Sequence, residues 1–102
     1  MTRMEQLHKL LEKTPADPFL LYGIGLEHKK AGQLEEAVQW LDRTIAADAK
    51  YCYAYYQKGQ VLESLEQTNA AQAAYRAGIV AAKSAGDAHA QGELQGALDM
   101  LG

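Results

Sequence analysis

Residues 19–28, FLLYGIGLEH, return 34 positions later as YAYYQKGQVL, residues 53–62. Phe19 falls on Tyr53, Leu21 on Tyr55, Tyr22 on Tyr56 and Gly25 on Gly59. The same shift carries Ala37 onto Ala71, Leu41 onto Tyr75, Ile45 onto Ile79 and Ala47 onto Ala81. Run backward, it carries Leu7 onto Leu41 and Leu11 onto Ile45. A period of this length marks a stack of supersecondary units, because one unit cannot bury its apolar face alone.

Each period holds two helical patterns. Residues 18–31 place Leu21, Ile24, Gly25 and His28 on one face, and residues 34–47 space Leu34, Ala37, Val38, Leu41 and Ile45 by threes and fours. Gly32, between them, suits the left-handed position that ends a helix. The second copy predicts helices over 52–66 and 69–84, with Glu66 in the place of that glycine and Thr68 or Asn69 able to cap the second of the two. Gly25 and Gly59 fall inside helices, where glycine costs about 1 kcal/mol. Kept at the repeat period, they predict that another backbone passes close by. Residues 3–14 match the second helix of a unit, and residues 87–101, opened by Asp87, match the first helix of an unfinished one. The expectation is one all-α domain, 1–102, of about six helices. Abundant alanine and few β-branched residues leave no candidate strand.

The 34-residue helix–turn–helix unit resembles the tetratricopeptide repeat, whose pattern runs W-x2-L-G-x2-Y, then A-x3-F, then P. In the first copy Leu21 stands at the tryptophan place, Ile24-Gly25 at the Leu-Gly pair, His28 at the tyrosine, and Ala37 and Leu41 at the A-x3-F step. In the second copy Tyr55, Lys58-Gly59, Leu62, Ala71 and Tyr75 come in the same register. The departures are Lys58 where leucine is usual, and Ala49 and Lys83 where proline is usual. The resemblance covers the chain and implies a right-handed solenoid of antiparallel helix pairs. Its repeats would run 18–51 and 52–85, between a half-repeat helix over 3–14 and a capping helix over 87–101. It also implies that the first helices line a concave face and the second helices form the back.

Composition narrows the function by exclusion. Ten Lys/Arg against thirteen Asp/Glu give a net charge of −3 with neither sign in a block, which argues against nucleic acid as a partner. No polybasic segment or long apolar run points to a membrane, and residues 1–14 do not read as a signal peptide. The lone Cys52 fits a reducing compartment, so a cytoplasmic protein is expected. His8, His28 and His89 lie in three different helices without zinc-ligand partners, and Gly23-Ile24-Gly25 lacks the context of a nucleotide loop. Glu35-Glu36 reads as a helix start, and no nucleophile sits beside a base. No cofactor, metal or enzymatic activity is expected.

What remains is binding. YCYAYY, residues 51–56, concentrates four of the chain's six tyrosines. Tyr55 takes the tryptophan place and is expected in the core, as is Cys52. Tyr53 and Tyr56 share a different helical face, and one period earlier that face holds Phe19 and Tyr22. With Leu26, Lys29 and Gln60 they form a candidate groove for a peptide or helix of a partner protein. The alternative is that these aromatics pack on one another and close a short stack. Such a groove lacks the cations with which some members of the resembled family clamp a chaperone's C-terminal carboxylate, although Lys29 and Lys30 could meet an acidic segment. Trp40 has no aromatic counterpart in the other units and reads either as helix packing or as a second contact patch. A rival to the groove is a structural role, in which a homodimer forms through Trp40 or through Leu94, Leu98 and Leu101 of the last helix.

Overall fold

A computed structural model describes residues 1–101, and these form six helices in series. They are α1 (Arg3–Lys13), α2 (Pro18–Lys30), α3 (Leu34–Ala47), α4 (Cys52–Ser64), α5 (Thr68–Ala85) and α6 (Ala88–Met100). No strand occurs among the described residues. The helix starts obey local chemistry. Thr2 closes a capping box with Glu5 over α1, Asp17 accepts from the Phe19 N–H at 2.9 Å with Pro18 opening α2, and Asp87 accepts from the Ala90 N–H at 3.0 Å over α6. Neither Thr68 nor Asn69 caps α5: both lie in the helix, and the flanking Gln67 makes no side-chain cap.

Three helices stop in the same way. The Gln33, Gln67 and Asp87 N–H groups each reach back five residues, to the carbonyls of His28, Leu62 and Ala82, at 2.9 Å. Each such turn needs one left-handed residue just before its donor, and these are Gly32 (φ 78°), Glu66 (φ 60°) and Gly86 (φ 69°). Glu66 alone carries a side chain there, in a conformation that crowds its Cβ. Glu66→Gly is therefore expected to stabilise the domain by about 0.5–1 kcal/mol, visible as a higher thermal midpoint.

α2 packs chiefly on α3, and α4 on α5, as two antiparallel pairs. α1 covers one end through Leu7 and Leu11 against Leu20, Leu21 and Ile24. α6 covers the other through Ala90 and Leu94 against Tyr55, Tyr75 and Ile79. Ala37, Leu41, Ala54 and Val61 join the pairs in the middle.

The repeat-period glycines make room for side chains, where a backbone was expected. A Cβ at Gly59 would stand 2.6 Å from Tyr75 Cζ, and one at Gly25 would stand 3.2 Å from Leu41 Cγ. Gly78 does the same for α6, since its Cβ would meet Tyr55 Cβ at 2.7 Å and Leu94 Cδ2 at 2.8 Å. Lys58, the polar residue in the Leu-Gly pair, leaves the core and reaches Asp42 of the preceding repeat at 2.7 Å.

Trp40 is engaged inside the fold. Its half-buried ring meets His8 of α1 edge-on at 5.4 Å and stacks on His28 of α2 at 6.2 Å, with the Arg43 guanidinium 4.2 Å from its centre. Its place is the joint between α1, α2 and α3.

Candidate functional site

α4 touches α2 on one side and α6 on the other, whereas α3 and α5 stay apart. The first helices of the units therefore converge on the inner face, and the second helices splay along the back. The inner face is where the candidate groove residues lie. Tyr22, Leu26, Lys29, Tyr53, Tyr56 and Gln60 are all half-buried there, neither sealed in the core nor fully in solvent.

The four aromatics expected to cluster are arranged differently. Tyr22 pairs across the repeat junction with Tyr51, ring centres 5.0 Å apart. Tyr53 pairs with Tyr56 at 6.5 Å, and Tyr56 continues to Tyr75 at 6.2 Å. Phe19 stands apart at 65% exposure, at the start of α2. Tyr51, outside the candidate groove set, thus belongs to the aromatic surface. Tyr55 is core, and its hydroxyl donates to the Ala49 carbonyl at 2.7 Å, tying α4 to the inter-repeat turn. Cys52 is buried as a packed residue.

Lys29 spans the first repeat and the second. Its Nζ donates to Gln57 Oε1 at 2.6 Å and to Gln60 Oε1 at 3.0 Å. Both partners are neutral amides, and burial holds the ammonium below the usual lysine range. Gln57 lies on the same face, and burial pushes the Tyr22 phenol up, opposed in part by the nearby Gln57 amide.

Two clefts share Gln60 and Glu63 as a common wall. One, of about 300 Å³, is bounded by Lys29, Gln60, Glu63 and Ser64. The other, of about 420 Å³, lies between α4 and α6 and is lined by Tyr56, Gln60, Glu63, Tyr75, Glu93, Gly96, Ala97 and Met100. The sequence reading missed Glu93, Ala97 and Met100, because one period earlier their places hold Gly59, Glu63 and Glu66, none of them a candidate groove residue. The 3.6-residue period supplies the missing signal: Glu93, Ala97 and Met100 recur at steps of four and three on one face of α6.

The expected dimer surface is reduced by the same geometry. Leu94 is 1% exposed, buried under α4 and α5, so it offers nothing to a second copy. Leu98 and Leu101 are half-buried against the same core. The large apolar residue that α6 does expose is Met100, at 90%.

Burial raises the phenol pKa values of Tyr22, Tyr51, Tyr55 and Tyr75, Tyr75 most of all. The Tyr75 hydroxyl donates to Glu63 Oε2, a bond its ionised form would lose. The fold keeps these protons at a pH where the unfolded chain, near the ordinary value of 10.0, has released them. Stability is thus untouched by these groups below pH 10.0 and falls as pH rises through their higher folded values. Thermal midpoints followed upward from about pH 9 should hold and then drop steeply beyond about pH 10, and Tyr75→Phe should soften the drop.

Among the described residues no helix is long and apolar enough to cross a membrane. Nor do three His, Cys, Asp or Glu side chains gather among them to hold a metal ion.

Comparison with known proteins places this architecture. The family model described as tetratricopeptide repeat matches twice, over residues 20–51 and 53–82. TPR repeat-containing protein PA0015 of Pseudomonas aeruginosa is 29% identical over 91 residues, covering 89% of this chain and 87% of that protein. A tetratricopeptide repeat domain protein from Salinibacter ruber, solved in solution, superposes with a TM-score of 0.80 at 31% identity over 85% of this chain and 88% of its own. Protein BPP2914 from Bordetella parapertussis superposes with a TM-score of 0.84 at 26% identity over 99% and 88%. The chain belongs to the tetratricopeptide repeat family, non-catalytic helical scaffolds that generally mediate contacts between proteins.

Proposed function

We propose that this protein is a cytoplasmic interaction module that binds a peptide or helix of a partner protein along the inner face of α2, α4 and α6. The observation that carries this reading is the surface that runs from half-buried Lys29, Gln60 and Tyr56 to exposed Met100 and includes the two adjoining clefts. Tyrosine suits such a surface, since its ring gives apolar contact area at small entropic cost and its hydroxyl bonds a peptide backbone. Self-association has less surface to draw on, with Trp40 engaged by His8, His28 and Arg43 and with Leu94 buried.

The test is a pull-down with the wild type beside a Tyr22→Ala/Tyr56→Ala variant whose helicity and melting are checked by circular dichroism. The expected result is a partner retained by the first and lost by the second. Equal capture by both folded chains, or capture by neither, would assign the tyrosines to packing alone.

A further inference from the structure

The inner face is electrically lopsided. Toward α2 its charge is the Lys29 ammonium, held by two amide oxygens. Toward α6 the larger cleft carries the carboxylates of Glu63 and Glu93, and no cation lines it. Its remaining lining is Tyr56, Tyr75, Gln60 and the apolar groups of Gly96, Ala97 and Met100. We propose that this α4–α6 cleft receives a lysine or arginine side chain of the bound peptide, with a neighbouring apolar residue of that peptide against Ala97 and Met100. The inference rests on the groove reading and names the chemistry of its ligand.

Three observations point to a cation. The exposed Glu63 carboxylate is fixed from below, its Oε2 held by the hydroxyl of buried Tyr75. An acceptor oriented in advance at the rim of an apolar cleft suits a charged donor, which gains most where one partner is already ordered. The ring of Tyr56 lies in the same cleft, and a cation over a tyrosine face is attracted further by the ring's quadrupole. Glu93 completes the set from α6. Its Oε1 is 2.5 Å from Nε2 of the exposed His89 one turn back, which leaves Oε2 for a ligand. An acidic peptide would instead meet two carboxylates in a cleft without a countercharge.

The experiment is selection of a random-peptide phage library on the wild-type chain. Recovered peptides are then measured by fluorescence anisotropy against three folded variants: Tyr22→Ala/Tyr56→Ala, Glu63→Gln/Glu93→Gln and Lys29→Met. Glutamine keeps the shape and the acceptor for the Tyr75 hydroxyl. The expected peptides carry Lys or Arg beside an apolar residue, weaken about tenfold or more on Glu63→Gln/Glu93→Gln, and weaken with added salt. Peptides that need the tyrosines but lack a basic residue, or that tolerate loss of both carboxylates, would overturn the cationic ligand and leave the groove standing. Binders that depend on Lys29 and carry acidic residues would do the same. A selection with no tyrosine-dependent binder would overturn both readings.

Discussion

Tyr75→Ala is expected to lower the free energy of unfolding by about 3–5 kcal/mol, a large part of the roughly 5–15 kcal/mol available to a domain of this kind. The side chain is 0% exposed and is the largest fully buried one in the chain. It fills the space left by Gly59, meets the Tyr56 ring at a tilt, and reaches Glu63 through its hydroxyl. Truncation removes the transfer energy of a ring and leaves a cavity between helices that cannot close on glycine. Tyr75→Phe keeps the ring and gives up only the hydrogen bond, so a loss of about 1 kcal/mol is expected. Urea denaturation of the two variants beside the wild type separates the terms. A loss under about 1.5 kcal/mol for alanine would mean that α4 and α5 collapse freely onto the gap.

The converse change attacks the same contact from the other side. Gly59→Ala should destabilise by about 2–3 kcal/mol, although alanine gains about 1 kcal/mol in helix propensity. The added methyl would lie 2.6 Å from Tyr75 Cζ and nearer still to Cε1, and the ring is enclosed and has nowhere to retreat. Gly25→Ala, the same change one period earlier, meets Leu41 only at 3.2 Å and should be close to neutral. Tyr75→Leu installs the first repeat's partner in the second, so Gly59→Ala should cost far less in that background. A double-mutant cycle measures this coupling, and simple additivity would sink the account.

These pairs mark how far a sequence alone can be read. The period, the helix pairs and the family resemblance were visible because identical backbone places recur and their residues can be compared. What fills the space beside Gly25 and Gly59 was not visible, because a sequence records the missing Cβ and not its neighbour. Gly78 was missed for a related reason: its counterpart one period earlier is Thr44, whose hydroxyl bonds the Trp40 carbonyl within its own helix. The second repeat exchanges Leu21 and Leu41 for Tyr55 and Tyr75, and Gly59 and Gly78 yield the matching volume. Part of the tyrosine concentration at 51–56 therefore has a packing explanation through Tyr55, with Tyr53 and Tyr56 left to the inner face. The groove's α6 wall was not legible by comparison, since Glu93, Ala97 and Met100 fall one period after Gly59, Glu63 and Glu66, with which they share no residue type.

The serial packing of the six helices has a further consequence. Apart from the inner-face touches of α2 with α4 and α4 with α6, each helix leans on its chain neighbours. Cohesion in such a molecule resembles that of a short one-dimensional lattice, where opening starts at a free end and spreads inward. α1, whose principal neighbour is α2, can detach while the Tyr55–Tyr75–Leu94 block remains intact. α4 sits in the middle of the series, and its loss separates both ends at once. The helix that carries the densest aromatic surface is thus also the one whose order outlasts the fraying of either terminus, and a ligand gripping it along the inner face would splice the two halves together.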